Sequence, residues 1–226
     1  PVYLGAAVLL LAIFGFFFLR PGLRWPLLVA LVLMTMLSWG KNFEGLTNFF
    51  IDNVPLYDKF RAVSSIMVIP TFIMPLMAAL SLQKIVQEPE KLQASSPVGS
   101  LNFKNLFYAV AGVLLLFTAA SYAFPGAVND FLSDQEAMEL PQRLSQAGFS
   151  DQQANTFLEE LSAARQSLFR ADARRTLFIL LLGGGLFFLW QRRVMGSRWF
   201  IITTMILLVG DMWLVDRRYL NEENYV

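Results

Sequence analysis

Three groups of polar side chains in this sequence have the types and spacing that chemistry requires. The first runs Trp39-Gly-Lys-Asn-Phe-Glu-Gly-Leu-Thr-Asn-Phe-Phe-Ile-Asp-Asn-Val-Pro-Leu-Tyr-Asp-Lys-Phe-Arg61, with charges alternating among aromatics. Lys41, Lys59 and Arg61 could hold an anionic group such as a lipid phosphate, which arginine grips bidentately. Asp52 or Asp58 could bind a divalent metal or sugar hydroxyls, or act as a general base. Trp39, Phe49, Phe50 and Tyr57 could stack on a sugar face. Aromatics and cations at headgroup depth are equally what an interfacial anchor of any membrane protein contains.

The second group is Arg170-Ala-Asp-Ala-Arg-Arg175. On a helix Arg170 and Arg174 share a face at i, i+4, whereas Asp172 points away and needs a partner elsewhere. The pair reads as a phosphate-binding fork or as a charged interfacial cap. The third group is Asp211, inside an apolar run, followed by Asp216, Arg217 and Arg218. An acid at membrane depth is expensive unless paired or facing water, so it is a site or one half of a structural ion pair.

Composition limits the remaining choices. The chain has 226 residues, 56% apolar and 15% charged, against roughly 25% charged for an ordinary soluble domain. A net charge of +1 excludes a nucleic-acid partner. With no Cys and no His, disulfides, thiolate nucleophiles and imidazole bases are excluded, and a metal such as Mg or Mn would have to be held by carboxylates.

The elements that must position these groups are membrane spans. Six largely charge-free stretches approach the roughly 20 residues a bilayer needs, at about 2–19, 24–40, 62–84, 105–124, 173–191 and 199–215. Pro70 and Pro75 mark a kink in the third, and Gly183-Gly-Gly185 permits close helix packing in the fifth. The expected fold is all-α, a polytopic membrane helix bundle forming one membrane domain. The short loops after the first, third and fifth spans hold eight basic residues (Arg20, Arg24, Lys84, Lys91, Lys104, Arg192, Arg193 and Arg198) against two acids, Glu88 and Glu90. That asymmetry puts these loops in the cytoplasm, and leaves the loop 40–61, the segment 126–172 and both ends of the chain outside.

The outer segment 126–172 is expected to be helical. Ser133-Asp-Gln-Glu136 and Ser150-Asp-Gln-Gln153 read as capping boxes, with Gly148 a stop between them and Pro141 a kink or restart. From Ala154 to Leu168 apolar residues recur at helical spacing, and no Gly or Pro separates them from the fifth span. One long helix is expected to rise out of the membrane there.

The stretch Trp39-Gly-Lys-Asn42, with Phe49-Phe50, Asp52, Pro55, Tyr57 and Lys59-Phe-Arg-Ala62, resembles a signature of the YfhO family of bacterial multi-spanning membrane proteins. Leu168-Phe-Arg-Ala-Asp-Ala-Arg174, Asp211-Met-Trp213 and Asp216-Arg-Arg-Tyr-Leu-Asn221 resemble it too, while Asp58 stands where that pattern has Asn. The resemblance implies a glycosyltransferase-like protein of the bacterial cytoplasmic membrane. Such a protein takes a sugar from a polyprenyl-phosphate carrier on the outer face and passes it to an envelope glycopolymer or lipid acceptor. It implies substrate contacts by Lys41, Asn42, Asp52, Tyr57, Lys59, Arg61, Arg170, Asp172, Arg174 and Asp211. It also implies a catalytic acid upstream of Pro1, so that this chain is a piece of a longer protein without activity of its own. The competing expectation is a non-enzymatic flippase or transporter of lipid-linked envelope polymers, which should line a path with intramembrane polar residues.

Overall fold

The computed structural model describes residues 3–55, 57–59 and 63–219. Among these there are eight α-helices and no strand, the one extended pairing being an isolated bridge between Ser95 and Asn102. Five helices are long and apolar enough to cross a membrane: α2 (Pro21–Ser38), α4 (Val68–Gln87), α5 (Phe103–Ala123), α7 (Asp151–Gln191) and α8 (Ser197–Tyr219). Their outer surfaces carry exposed Val29, Phe72, Leu116, Phe117, Phe178, Leu181, Ile206 and Val209, an apolar coat that lipid chains cover.

The first stretch is shorter than expected. Helix α1 (Ala6–Phe18) has 13 residues and at about 1.5 Å each reaches about 20 Å, short of the roughly 30 Å hydrocarbon core. It starts late because Gly5 takes φ +88, a left-handed conformation that interrupts the chain just before Ala6. Pro21 opens α2 at its first turn, where its missing N–H is not needed. Helix α4 follows a 3₁₀ turn at Val63–Met67, holds Pro70 in its first turn and continues through Pro75.

The loop 40–61 is more ordered than its glycines predict. Gly40, at φ +53, begins a 3₁₀ turn (Gly40–Phe43), but Gly45 lies within a helix, α3 (Glu44–Asn53). Thr47 donates to the Gly40 carbonyl at 2.9 Å and fastens α3 back onto its entry turn. Phe49 and Ile51 of α3 are exposed while Thr47 is buried. That is the reverse of a water-soluble helix and suits one lying at a membrane surface.

The chain divides into two compact units, Pro1–Ala111 with Gly183–Val226, and Gly112–Leu182. The first is built around α1, which is buried along nearly its whole length. Gly15 lets α1 approach α4 closely: a Cβ there would stand 3.1 Å from both the Met77 carbonyl oxygen and Ser81 Cβ. Ala12 packs on Ile73 and Met77, and Lys84 lies over the Phe18 ring at 6.0 Å, so α1 and α4 run parallel. Phe14 meets Phe107 and Phe18 meets Phe103, so the start of α5 runs antiparallel to α1. Phe107 stacks on Phe187 at 3.9 Å and Trp190 on Phe200 at 5.1 Å, which carries one aromatic column across α1, α5, α7 and α8. These registers are those of a chain that alternates direction at each span, and they gather the basic short-loop residues at one end of this unit.

The second unit holds the helical segment 126–172. Helix α6 (Asp134–Gln146) starts in the expected capping box: Ser133 Oγ accepts from the Glu136 N–H at 3.2 Å, and Glu136 accepts from the Ser133 N–H at 3.2 Å. It runs unbroken through Pro141 and ends before Gly148 at φ +92. Ser150 and Gln153 form the second box, with bonds of 2.9 and 3.3 Å. From Asp151 α7 continues for 41 residues, about 60 Å, as the single long helix the sequence called for.

Candidate functional site

Arg165 ties α6 to α7 and thereby sets the neighbourhood of the second constellation. Its guanidinium donates to both Glu136 oxygens at 2.8 Å and to the Phe131 carbonyl at 2.9 Å. The Arg165 hydrogen bonds, followed by the Ser133 N–H, hold the Glu136 carboxyl down to about 2. Phe131 meets Phe169 edge-on at 5.7 Å and closes the same corner.

One turn further along α7, Arg170 and Arg174 are exposed on one face, as their spacing predicts. They line a groove of about 340 Å³ together with Tyr122 of α5 and Gln166 and Ser167 of α7. Asp172 points elsewhere and finds its partner on its own helix, Arg175 at 3.7 Å. The only carboxylate in the motif is thus turned away from the two groove arginines. Among the described residues neither Arg170 nor Arg174 makes a hydrogen bond or ion pair. Two unneutralised guanidiniums beside a phenol, an amide and a hydroxyl are the donor set an anion could use.

The loop 40–61 is held by its aromatics. Trp39 meets Phe43 edge-on at 6.4 Å, Phe49 meets Phe50 at 5.9 Å, and Phe50 meets Tyr57 at 5.5 Å. Tyr57 is buried; Lys41, Asn42, Asp52 and Lys59 are exposed. No hydrogen bond or ion pair joins Lys41, Asn42 and Asp52 to one another. Arg61 and the Asp58 side chain lie outside the described residues. No cluster of three or more carboxylates suited to a metal ion occurs among the described residues.

Asp211 is not exposed. It is 1% exposed, accepts the Ala6 N–H at 3.0 Å, and is bridged by the Tyr3 hydroxyl at 2.9 and 3.0 Å. Gly5 has no side chain with which to cap α1, so Asp211 supplies the cap from α8. A Cβ on Gly5 would come within 3.3 Å of the carboxyl. Sequence reasoning missed this contact, although an acid in one span and a glycine before a helix start were both visible.

The helices define a multi-pass membrane protein. Compared with family models, with curated proteins and with solved structures, the chain shows no match.

Proposed function

We propose that this chain is part of a bacterial cytoplasmic-membrane protein that handles a polyprenyl-phosphate-linked sugar on the outer face of the membrane, in the manner of a YfhO-type glycosyltransferase. The observation that carries this reading is the groove beneath Arg170 and Arg174, with two cationic heads unneutralised while Asp172 pairs with Arg175. A phosphate monoester or diester matches those donors, and the sugar or its acceptor can use Tyr122, Gln166 and Ser167. The resemblance of the Trp39–Ala62 and Leu168–Arg174 stretches to that family supplies the lipid-linked sugar as the class of ligand. The excess of basic residues in the short loops supports the orientation, with the groove and α3 outside.

In this reading catalysis is attack by an acceptor hydroxyl on the sugar, with the phosphate leaving. The arginines stabilise the charge that develops on the leaving group. A flippase is less well supported: it needs a polar path, and the acid within α8 caps the start of α1. The test is binding of polyprenyl monophosphate by the chain in phosphatidylcholine nanodiscs, for the natural protein and for Arg170→Gln with Arg174→Gln. Loss of one charge-assisted bond is worth about 1.5–3 kcal/mol, so the double variant should bind at least about tenfold more weakly. Equal binding with intact folding would remove the groove from the mechanism.

A further inference from the structure

Arg24 lies near the start of α2, at the end of its unit where the basic short-loop residues gather. Its guanidinium lies against two aromatic rings that meet edge-on, 5.5 Å from the Phe16 ring centre and 5.6 Å from that of Trp25. Its one hydrogen bond is a long one, to the Phe17 carbonyl at 3.5 Å, and its Nε is enclosed with no partner. No carboxylate pairs with it among the described residues. Arg24 is half-buried, and a guanidinium partly enclosed by rings favours a counter-ion at its open side.

Phe16 and Phe17 also form one wall of an apolar slot of about 200 Å³ between α1, α2 and α4, completed by Ile13, Leu28, Leu31 and Met74. The slot lies at membrane depth, and α2 buries only Leu37, so the helix leaves the slot's flank to the surrounding lipid. Leu23 and Trp25 beside the guanidinium are exposed, as interfacial residues are. A cation with no paired carboxylate among the described residues thus sits at the mouth of an apolar slot, and a single lipid can offer an anion to the one and hydrocarbon to the other.

We infer that Arg24 and the slot beside it form a binding site for an anionic glycerophospholipid, the phosphate on the guanidinium and part of one acyl chain between α1, α2 and α4. A soluble phosphate would satisfy Arg24 and leave the slot empty, and an uncharged lipid would fill the slot and leave Arg24 unneutralised. The free end of α2 adds its positive dipole at the same mouth.

The experiment is native mass spectrometry of the full chain released from nanodiscs containing equal phosphatidylglycerol and phosphatidylcholine, with far-UV circular dichroism and melting to verify folding. The natural chain should retain one phosphatidylglycerol preferentially. Arg24→Gln should weaken that retention about tenfold or more, and Arg24→Lys, which keeps the charge and loses the fork, should fall between them. Leu31→Trp, which fills the slot and leaves Arg24 untouched, should also lose the lipid. Unchanged retention in a folded Arg24→Gln or Leu31→Trp protein overturns the site, as does displacement of the lipid by millimolar inorganic phosphate. If Arg24→Gln fails to fold, the Lys and Trp variants decide the matter.

Discussion

Replacing Asp211 separates a structural acid from a ligand-binding one. Among the described residues its carboxyl accepts from the Ala6 N–H and from the Tyr3 hydroxyl, and Asp211 is 1% exposed. Asp211→Ala strands both donors, and a buried donor without an acceptor costs about 1–3 kcal/mol, giving roughly 2–6 kcal/mol for the pair. Hydrogen bonds between membrane helices run weaker, about 0.6 kcal/mol on average and about 1.7 at most, so the lower end governs and the expected loss is about 2–3 kcal/mol. Asp211→Asn retains an acceptor for Ala6, and Asn caps helices about as well as Asp, so it should cost less than about 1 kcal/mol. Tyr3→Phe should cost about 1 kcal/mol, and much less once Asp211 is Ala, because the two share one interaction. Reversible unfolding in mixed micelles, followed by circular dichroism, measures all four proteins. An Ala variant as stable as the Asn variant would refute the capping role. A fully stable Ala variant that no longer bound polyprenyl phosphate would return Asp211 to the ligand site.

Other consequences follow from separate features. Glu136 is held at about 2, below its ordinary value of 4.5, so the α6–α7 clamp contributes stability that is complete above about pH 4.5 and fades as pH falls towards 2. Amide exchange in α6 should accelerate across that window in the natural chain, and Glu136→Gln should remove the pH dependence. Gly15→Val should weaken the α1–α4 contact by about 1–3 kcal/mol, because its Cβ meets the Met77 carbonyl at 3.1 Å, and the same unfolding assay reads it. Asp172→Asn should leave polyprenyl-phosphate binding nearly unchanged, since that side chain pairs with Arg175 and not with the groove arginines; a large loss would show that it contacts the ligand.

What could be read from the sequence was whatever a local pattern determines. Both capping boxes and the unbroken run from Asp151 to Gln191 follow from residues within four positions of one another, and they stand as expected. The shared face of Arg170 and Arg174 is likewise fixed by i, i+4 spacing. The partner of Asp172 was also local, three residues along at Arg175, and only the second arginine of the pair needed to be considered. Helix α3 was hidden because Gly45 reads as a breaker, whereas a glycine in the first helical turn has little to disrupt. The partners of Asp211 were out of reach because Ala6 and Tyr3 lie more than 200 residues away in sequence. Arg24 looked like one more basic loop residue, since only packing on Phe16 and Phe17 reveals that it has no counter-ion.

An outer-face reaction requires the groove to face away from the cytoplasm, and one labelling experiment decides this directly. The chain has no cysteine, so Ser100→Cys, in the basic loop between α4 and α5, and Ser145→Cys, near the end of α6, each place a single exposed thiol. In intact cells a membrane-impermeant maleimide should label Ser145→Cys and spare Ser100→Cys until the membrane is opened. Labelling of Ser100→Cys alone would put the Arg170–Arg174 groove in the cytoplasm and contradict an outer-face reaction on a polyprenyl-phosphate sugar.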